Sequence, residues 1–138
     1  MKQATNRLPG GSESILVVED ETSVRGSIKR ILSRQGSTVL EARHGADALR
    51  VIGETQRPID LVTTDLIMPQ MDGRELIAQL QTLPRLPRVV VMSGHNEQAA
   101  MRGERVPPGT GFLEKPFTVE ELLQTVRAAL DAKPGTTA

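Results

Sequence analysis

The sequence predicts an α/β domain: five short apolar, β-rich runs alternate with segments of helical period, the pattern of βαβ units around a parallel sheet. A second observation agrees, because four of those runs end in residues that carry chemistry. Parallel strands deliver their carboxyl ends to one edge, where ligands bind in open α/β sheets. The length of 138 residues suits one domain with a real core.

The elements follow in order. Met1 to Glu13 is polar and interrupted by Pro9, Gly10 and Gly11, which reads as a flexible leader or linker; the domain proper is expected over 14–132 and a frayed tail over 133–138. The first strand is Ile15–Val18, ending in Glu19-Asp20-Glu21. Val24, Ile28, Ile31 and Leu32 then form a one-sided helical stripe. Val39-Leu40 is a short second strand, and Ala46 to about Glu54 a second helix. Ile59 to Thr64 is a third strand that Asp65 closes. Asp72 with Glu75 resembles a capping box ahead of Leu76, Ile77 and Leu80. Arg88 to Met92 is a fourth strand, ending in Ser93. A fourth helix is expected near Asn96–Gly103, with only Ala99, Ala100 and Met101 to bury. Gly111–Glu114 is a fifth strand leading into Lys115-Pro116. Thr118 and Glu121 form a second capping box before Leu122, Leu123, Val126 and Leu130, giving five strands and five helices with right-handed crossovers.

Composition narrows the functions available. With 17 basic and 17 acidic residues there is no basic excess for nucleic acid, and two Phe without Trp or Tyr offer no stacking platform. The absence of cysteine removes disulfides and thiolate chemistry, and suits a reducing cytoplasm. No apolar run approaches a membrane span, so no membrane contact is expected of this domain.

The strand ends invite a metal and a phosphoryl group. One aspartate after a strand is ordinarily a cap or turn residue. Glu19, Asp20 and Asp65 from two strands would repel one another unless a cation intervened, and Mg²⁺ prefers such oxygen donors. An aspartate can also serve as a nucleophile and form an acyl phosphate. Lys115 offers a point charge to a phosphate oxygen, and Ser93 a hydroxyl. His44 reads as a solvated loop residue, and His95 as either a loop residue or a neighbour of the site.

Taken in order, Glu19-Asp20, Asp65 with Met68-Pro69 and Asp72-Gly73, Ser93-Gly94 and Lys115-Pro116-Phe117 make the chain resemble the receiver domain of two-component response regulators, over about Ile15 to Leu130. The resemblance implies the flavodoxin-like strand order 2-1-3-4-5 of chemotaxis receivers. It implies that Asp65 is the phosphoacceptor, and that Mg²⁺, or Mn²⁺ in its place, is held by Asp20, Asp65 and the backbone carbonyl of Ile67, with Glu19 acting through water. Lys115 and Ser93 would bind the phosphoryl group, Ser93 and Phe112 would be the switch residues, and Ile67 and His95 would flank the path of attacking water. The implied partners are a histidine kinase or a histidine phosphotransfer domain, and a downstream protein at the face of the fourth helix, fifth strand and fifth helix. Two features depart from the family pattern: Thr64 is polar in a strand that is usually apolar, and the fourth helix is thin in apolar residues.

Gly10-Gly11-Ser12-Glu13-Ser14, with Glu19-Asp20-Glu21, Val24-Arg25 and Met92-Ser93-Gly94, resembles receivers attached to hybrid sensor histidine kinases, so the chain is expected to be a stand-alone receiver or a piece of such a protein. On this reading it is a signalling module that promotes only its own phosphorylation and dephosphorylation. An aspartate-nucleophile Mg²⁺-dependent phosphatase is the enzymatic alternative, but the position two after Asp65, where such enzymes carry a second Asp, is Ile67. A dinucleotide enzyme fails because Gly109-Thr110-Gly111 meets Glu114 where a third glycine belongs. A phosphorylation-independent pseudo-receiver is disfavoured by the intact acidic set with Ser93 and Lys115.

Overall fold

The computed structural model describes residues 13–66, 73–94 and 109–132. In chain order these form β1 (Ser14–Val18), α1 (Thr22–Arg34), β2 (Thr38–Ala42), α2 (Gly45–Glu54), β3 (Leu61–Asp65), α3 (Gly73–Leu80), β4 (Arg88–Ser93), β5 (Gly111–Glu114) and α4 (Val119–Asp131). The helix expected near Asn96–Gly103 and the cap residue Asp72 lie outside the described residues, so α4 corresponds to the fifth helix of the sequence pattern. All five strands are parallel, in the order β2-β1-β3-β4-β5, as expected.

A parallel sheet covered on both faces needs strands that are apolar on both sides, which explains runs in place of alternation. Leu16 and Val18 face one cluster with Val62, Val89, Val91, Leu76, Ile77 and Leu80. Ile15 and Val17 face the other, with Leu61, Val90, Met92, Ile28, Leu32, Leu122 and Val126. Each such aliphatic side chain contributes about 1.5–3 kcal/mol on burial, before the entropy cost of ordering it.

The amino-terminal edge is tied together by Asp60, just before β3. Its backbone N–H donates to the Ser14 carbonyl at 2.8 Å and its carbonyl accepts from Arg88 N–H at 2.9 Å. Its carboxylate accepts from Ser14 N–H at 2.8 Å and from Arg85 at 2.9 Å. The three central strands therefore start in fixed register, and their carboxyl ends stay level.

Local sequence sets the helix ends. Thr118 accepts from Glu121 N–H at 3.0 Å while Glu121 accepts from Thr118 N–H at 2.9 Å, so the capping box read from the sequence forms at the start of α4. Gly36, at φ 96°, follows α1 in the left-handed conformation where a side chain would clash. His44 lies in the loop after β2, as expected, but it is half-buried and not merely solvated: it is the N-cap of α2, its Nδ1 accepting from Asp47 N–H at 3.1 Å. Asp47 in turn accepts from Arg43 N–H at 3.0 Å and from Arg50 at 2.7 Å. An imidazole nitrogen replaces the usual hydroxyl or carboxylate cap here, which residue-type preference does not anticipate.

Thr63 is fully buried in the middle of β3, and among the described residues its hydroxyl has no hydrogen-bond partner. Thr63→Val keeps the shape and removes the unpaired polar atom, so it should raise the unfolding free energy by about 1 kcal/mol. A urea titration followed by circular dichroism checks the sign, because a destabilised variant would mean that the hydroxyl is satisfied in solution.

Candidate functional site

The sheet carries its register one residue past each strand. Glu19 N–H donates to the Ala42 carbonyl at 3.0 Å, Leu66 N–H to the Met92 carbonyl at 3.1 Å, and Lys115 N–H to the Ser93 carbonyl at 2.9 Å. Glu19-Asp20 after β1, Asp65 at the end of β3, Ser93 at the end of β4 and Lys115 after β5 thus share the carboxyl edge. The Lys115–Pro116 peptide bond is cis.

These groups meet. Lys115 Nζ lies 2.5 Å from Asp65 Oδ1 and 3.6 Å from Glu19 Oε1. One carboxylate oxygen from each of Glu19, Asp20 and Asp65 falls within 4.8 Å of the other two. Glu19 and Asp65 are buried, whereas Asp20 is exposed at the mouth. Glu19 Oε2 accepts from Glu21 N–H at 3.1 Å, while among the described residues buried Oε1 has no hydrogen-bond partner.

The electrostatics follow from that crowding. Burial, and then the adjoining Asp65 carboxylate, push the Glu19 carboxyl up to about 8, against weaker help from Glu21 N–H and Lys115. Burial alone would lower the Lys115 ammonium, but contact with Asp65 and the charge of Glu19 outweigh it and raise it. A protonated Glu19 can donate to Asp65, which relieves the repulsion in the metal-free protein. A hard divalent cation would do the same without a proton, and three carboxylates, one with a buried oxygen that has no hydrogen-bond partner among the described residues, suit such an ion.

The structure brings together Glu19, Asp20, Asp65 and Lys115, with Ser93 completely buried at the adjacent strand end. Among the described residues the Ser93 hydroxyl has no hydrogen-bond partner. Phe112 stands on edge strand β5, 45% exposed. Ile67 and His95 lie outside the described residues. The buried hydroxyl of Thr64 donates to the Asp65 carbonyl at 2.8 Å, so the polar departure in β3 is spent on the backbone of the site. Arg25 stands in the sequence only as part of the Val24-Arg25 pattern, yet its guanidinium donates to the Glu19 carbonyl at 2.7 Å. A basic residue one turn into the helix that follows an acidic loop was the available signal.

A sheet of this order with two acidic residues after β1, an aspartate closing β3 and a lysine after β5 defines a class, and the family model for the response regulator receiver domain matches residues 15–127. The chain belongs to the response regulator receiver domain family. It is 37% identical over 121 residues to the sensor kinase CckA of Brucella abortus (strain 2308), covering 88% of this chain and 13% of that protein. It is 36% identical over 119 residues to the response regulator MprA of Mycobacterium ulcerans (strain Agy99), covering 86% of this chain and 50% of that one. The chain therefore spans only part, half or less, of these two relatives. Among solved structures, the receiver domain of hybrid histidine kinase CckA superposes with a TM-score of 0.70 at 33% identity, covering 86% of this chain and 99% of that one. A receiver domain protein from Clostridium thermocellum does so with a TM-score of 0.72 at 28% identity, covering 86% and 94%.

The raised Glu19 carboxyl has a consequence for stability. Because its folded value, about 8, exceeds the ordinary 4.5, the folded protein binds a proton that the unfolded chain releases. Metal-free protein should therefore be most stable below about pH 4.5 as far as this group is concerned, and lose that stability as pH rises toward 8. Glu19→Gln, which mimics the protonated form, should flatten this slope and exceed the parent in stability at pH 8. Urea midpoints in chelator across this range test it, and parallel profiles for the two proteins would overturn it.

Proposed function

We propose that the chain is a phosphorelay receiver that accepts a phosphoryl group from a phosphohistidine of a histidine kinase or phosphotransfer domain onto Asp65. The observation that carries this reading is the Lys115 ammonium seated on Asp65 beside two further carboxylates at the carboxyl edge of the sheet. In the transfer, a carboxylate oxygen of Asp65 attacks phosphorus in line, the P–N bond breaks as the P–O bond forms, and the departing imidazole takes up a proton. Asp20 and Asp65 would hold Mg²⁺ directly, with the Ile67 carbonyl. Glu19, whose Oε2 is already committed to Glu21 N–H, would act through a water on Oε1. Bound there, Mg²⁺ or Mn²⁺ supplies charge neutralisation for the transferring phosphoryl group. Lys115 and Ser93 bind phosphoryl oxygens, the one by charge and the other by its buried hydroxyl.

Ser93 donating to the phosphoryl group, with Phe112 leaving its exposed position, biases a second conformation of the surface around β5 and α4, where a downstream protein would read it. Ile67 and His95 would set how quickly water removes the group. The domain is on this reading a signalling module, not an enzyme of independent turnover: Ile67 offers no acid or base two residues after the nucleophile. Its similarity to CckA supports a hybrid histidine kinase as the parent protein, with the receiver in the cytoplasm. Among the described residues no helix is long and apolar enough to cross a membrane.

Asp65→Asn tests the reading. With Mg²⁺ and a small acyl phosphate, the parent should acquire one phosphoryl group by intact-protein mass spectrometry. The variant should remain at background with an unchanged circular dichroism spectrum. Equal labelling of both proteins would move the acceptor elsewhere.

A further inference from the structure

Resting on the phosphorelay reading, the geometry points to Arg25 as a positioning residue for the divalent cation: with Glu41 as its anchor, it holds the loop that carries Asp20. Asp20 is exposed, so little packing fixes its side chain and the path of its backbone sets which positions its carboxylate can reach. The Arg25 guanidinium holds that backbone from one side, while an ordinary helical hydrogen bond of α1, which any non-proline residue at this position would make, holds it from the other. The guanidinium donates to the Glu19 carbonyl, the oxygen of the Glu19–Asp20 peptide, at 2.7 Å. The backbone N–H of Arg25 donates to the Glu21 carbonyl at 2.9 Å. On the far side its Nε donates to Glu41 of β2 at 3.2 Å, and Glu41 also accepts from Lys29 at 3.1 Å.

The arrangement joins three elements, β2, α1 and the loop after β1, through one guanidinium that is only 12% exposed. A planar fork can serve a carbonyl and a carboxylate at once, which a lysine ammonium on a flexible stem does not reproduce. Glu41 has a second role. Shared between Arg25 and Lys29, it offsets part of the guanidinium charge that a cation beside Asp20 and Asp65 would face. Groups that orient ligands from behind commonly change metal affinity by about 10–100-fold when removed.

The test uses the whole chain and Mg²⁺ itself. Calorimetric titration, needed because the chain has no Trp, gives the dissociation constant. Line broadening by Mn²⁺ in NMR spectra reports whether Asp20 and Asp65 share the ion. Arg25→Gln should weaken Mg²⁺ binding by about tenfold and reduce the broadening at Asp20 more than at Asp65, and Arg25→Lys should recover little of it. Glu41→Gln should weaken binding by a smaller factor, about threefold. If Arg25 only braces α1 against β2, its variants will unfold at lower urea while the folded protein binds Mg²⁺ within about twofold of the parent, and the inference falls. Should neither Arg25 variant fold, Glu41→Gln decides: weakened binding supports the positioning role, and unchanged binding overturns it. A parent chain that neither binds Mg²⁺ nor takes up phosphoryl from an acyl phosphate would remove the phosphorelay reading itself, whereas a parent that does both beside unaffected variants removes only the role of Arg25.

Discussion

Like-charge repulsion at the carboxyl edge of the sheet is the constraint on which the rest of the structure bears. Three carboxylate oxygens lie within 4.8 Å of one another. At the effective dielectric of a protein, two full charges so placed repel by about 3 kcal/mol. Lys115 offsets part of this by sitting on Asp65 and facing Glu19. Burial of Glu19 first, and the remaining repulsion from Asp65 second, favour its protonated form and raise its carboxyl to about 8. In the proposed reading, a site that holds a proton among buried, crowded carboxylates is poised to exchange it for a cation. Metal binding and proton release are then the same event seen from two sides.

Such a cluster survives only if the scaffold cannot relax away from it. Both faces of the sheet are packed, with Leu16 and Val18 locked on one side and Ile15 and Val17 on the other. At the opposite edge Asp60 binds the starts of β1, β3 and β4 through both backbone and side chain. The strands cannot slide to separate Glu19 from Asp65 without breaking the backbone ladder that joins β1 to β3 and repacking both apolar layers. Strain at one edge is thus held by burial and register throughout the sheet.

The fold was legible because its signals are local and periodic. The strand runs, the stripe of Val24, Ile28, Ile31 and Leu32, and the Thr118–Glu121 capping box each lie within a few residues, and each formed. The acidic residues and Lys115 were legible because strand ends converge whatever the loops do. What escaped depends on pairs far apart in sequence. That Arg25 reaches back to the Glu19 carbonyl and across to Glu41 requires α1 to pack at one particular rotation against β2. His44 escaped for a chemical reason: whether an imidazole caps a helix depends on which nitrogen carries the proton, and composition does not encode that. The relative depth of Glu19 and Asp20 was likewise hidden, since adjacent residues at a strand end alternate sides and either could have turned inward.

Of the three buried hydroxyls unpaired among the described residues, on Ser14, Thr63 and Ser93, the last two sharpen the distinction between a structural cost and a functional one. Thr63 and Ser93 are both fully buried. With no partner among the described residues, each carries the desolvation penalty of an unsatisfied polar group there. Thr63 lies at mid-strand, paired in register with Val17 and Val90, where no ligand can reach it. Its hydroxyl is a defect that Val would repair. Ser93 closes β4 beside Asp65 and Lys115, where an anion arriving on Asp65 would come within its compass. In the proposed reading its penalty belongs to the unphosphorylated state alone, and relief on phosphorylation supplies part of the free energy that biases the second conformation. A ligand shifts a two-state equilibrium only through interactions that differ between the states, and a buried donor satisfied in one of them is such a difference.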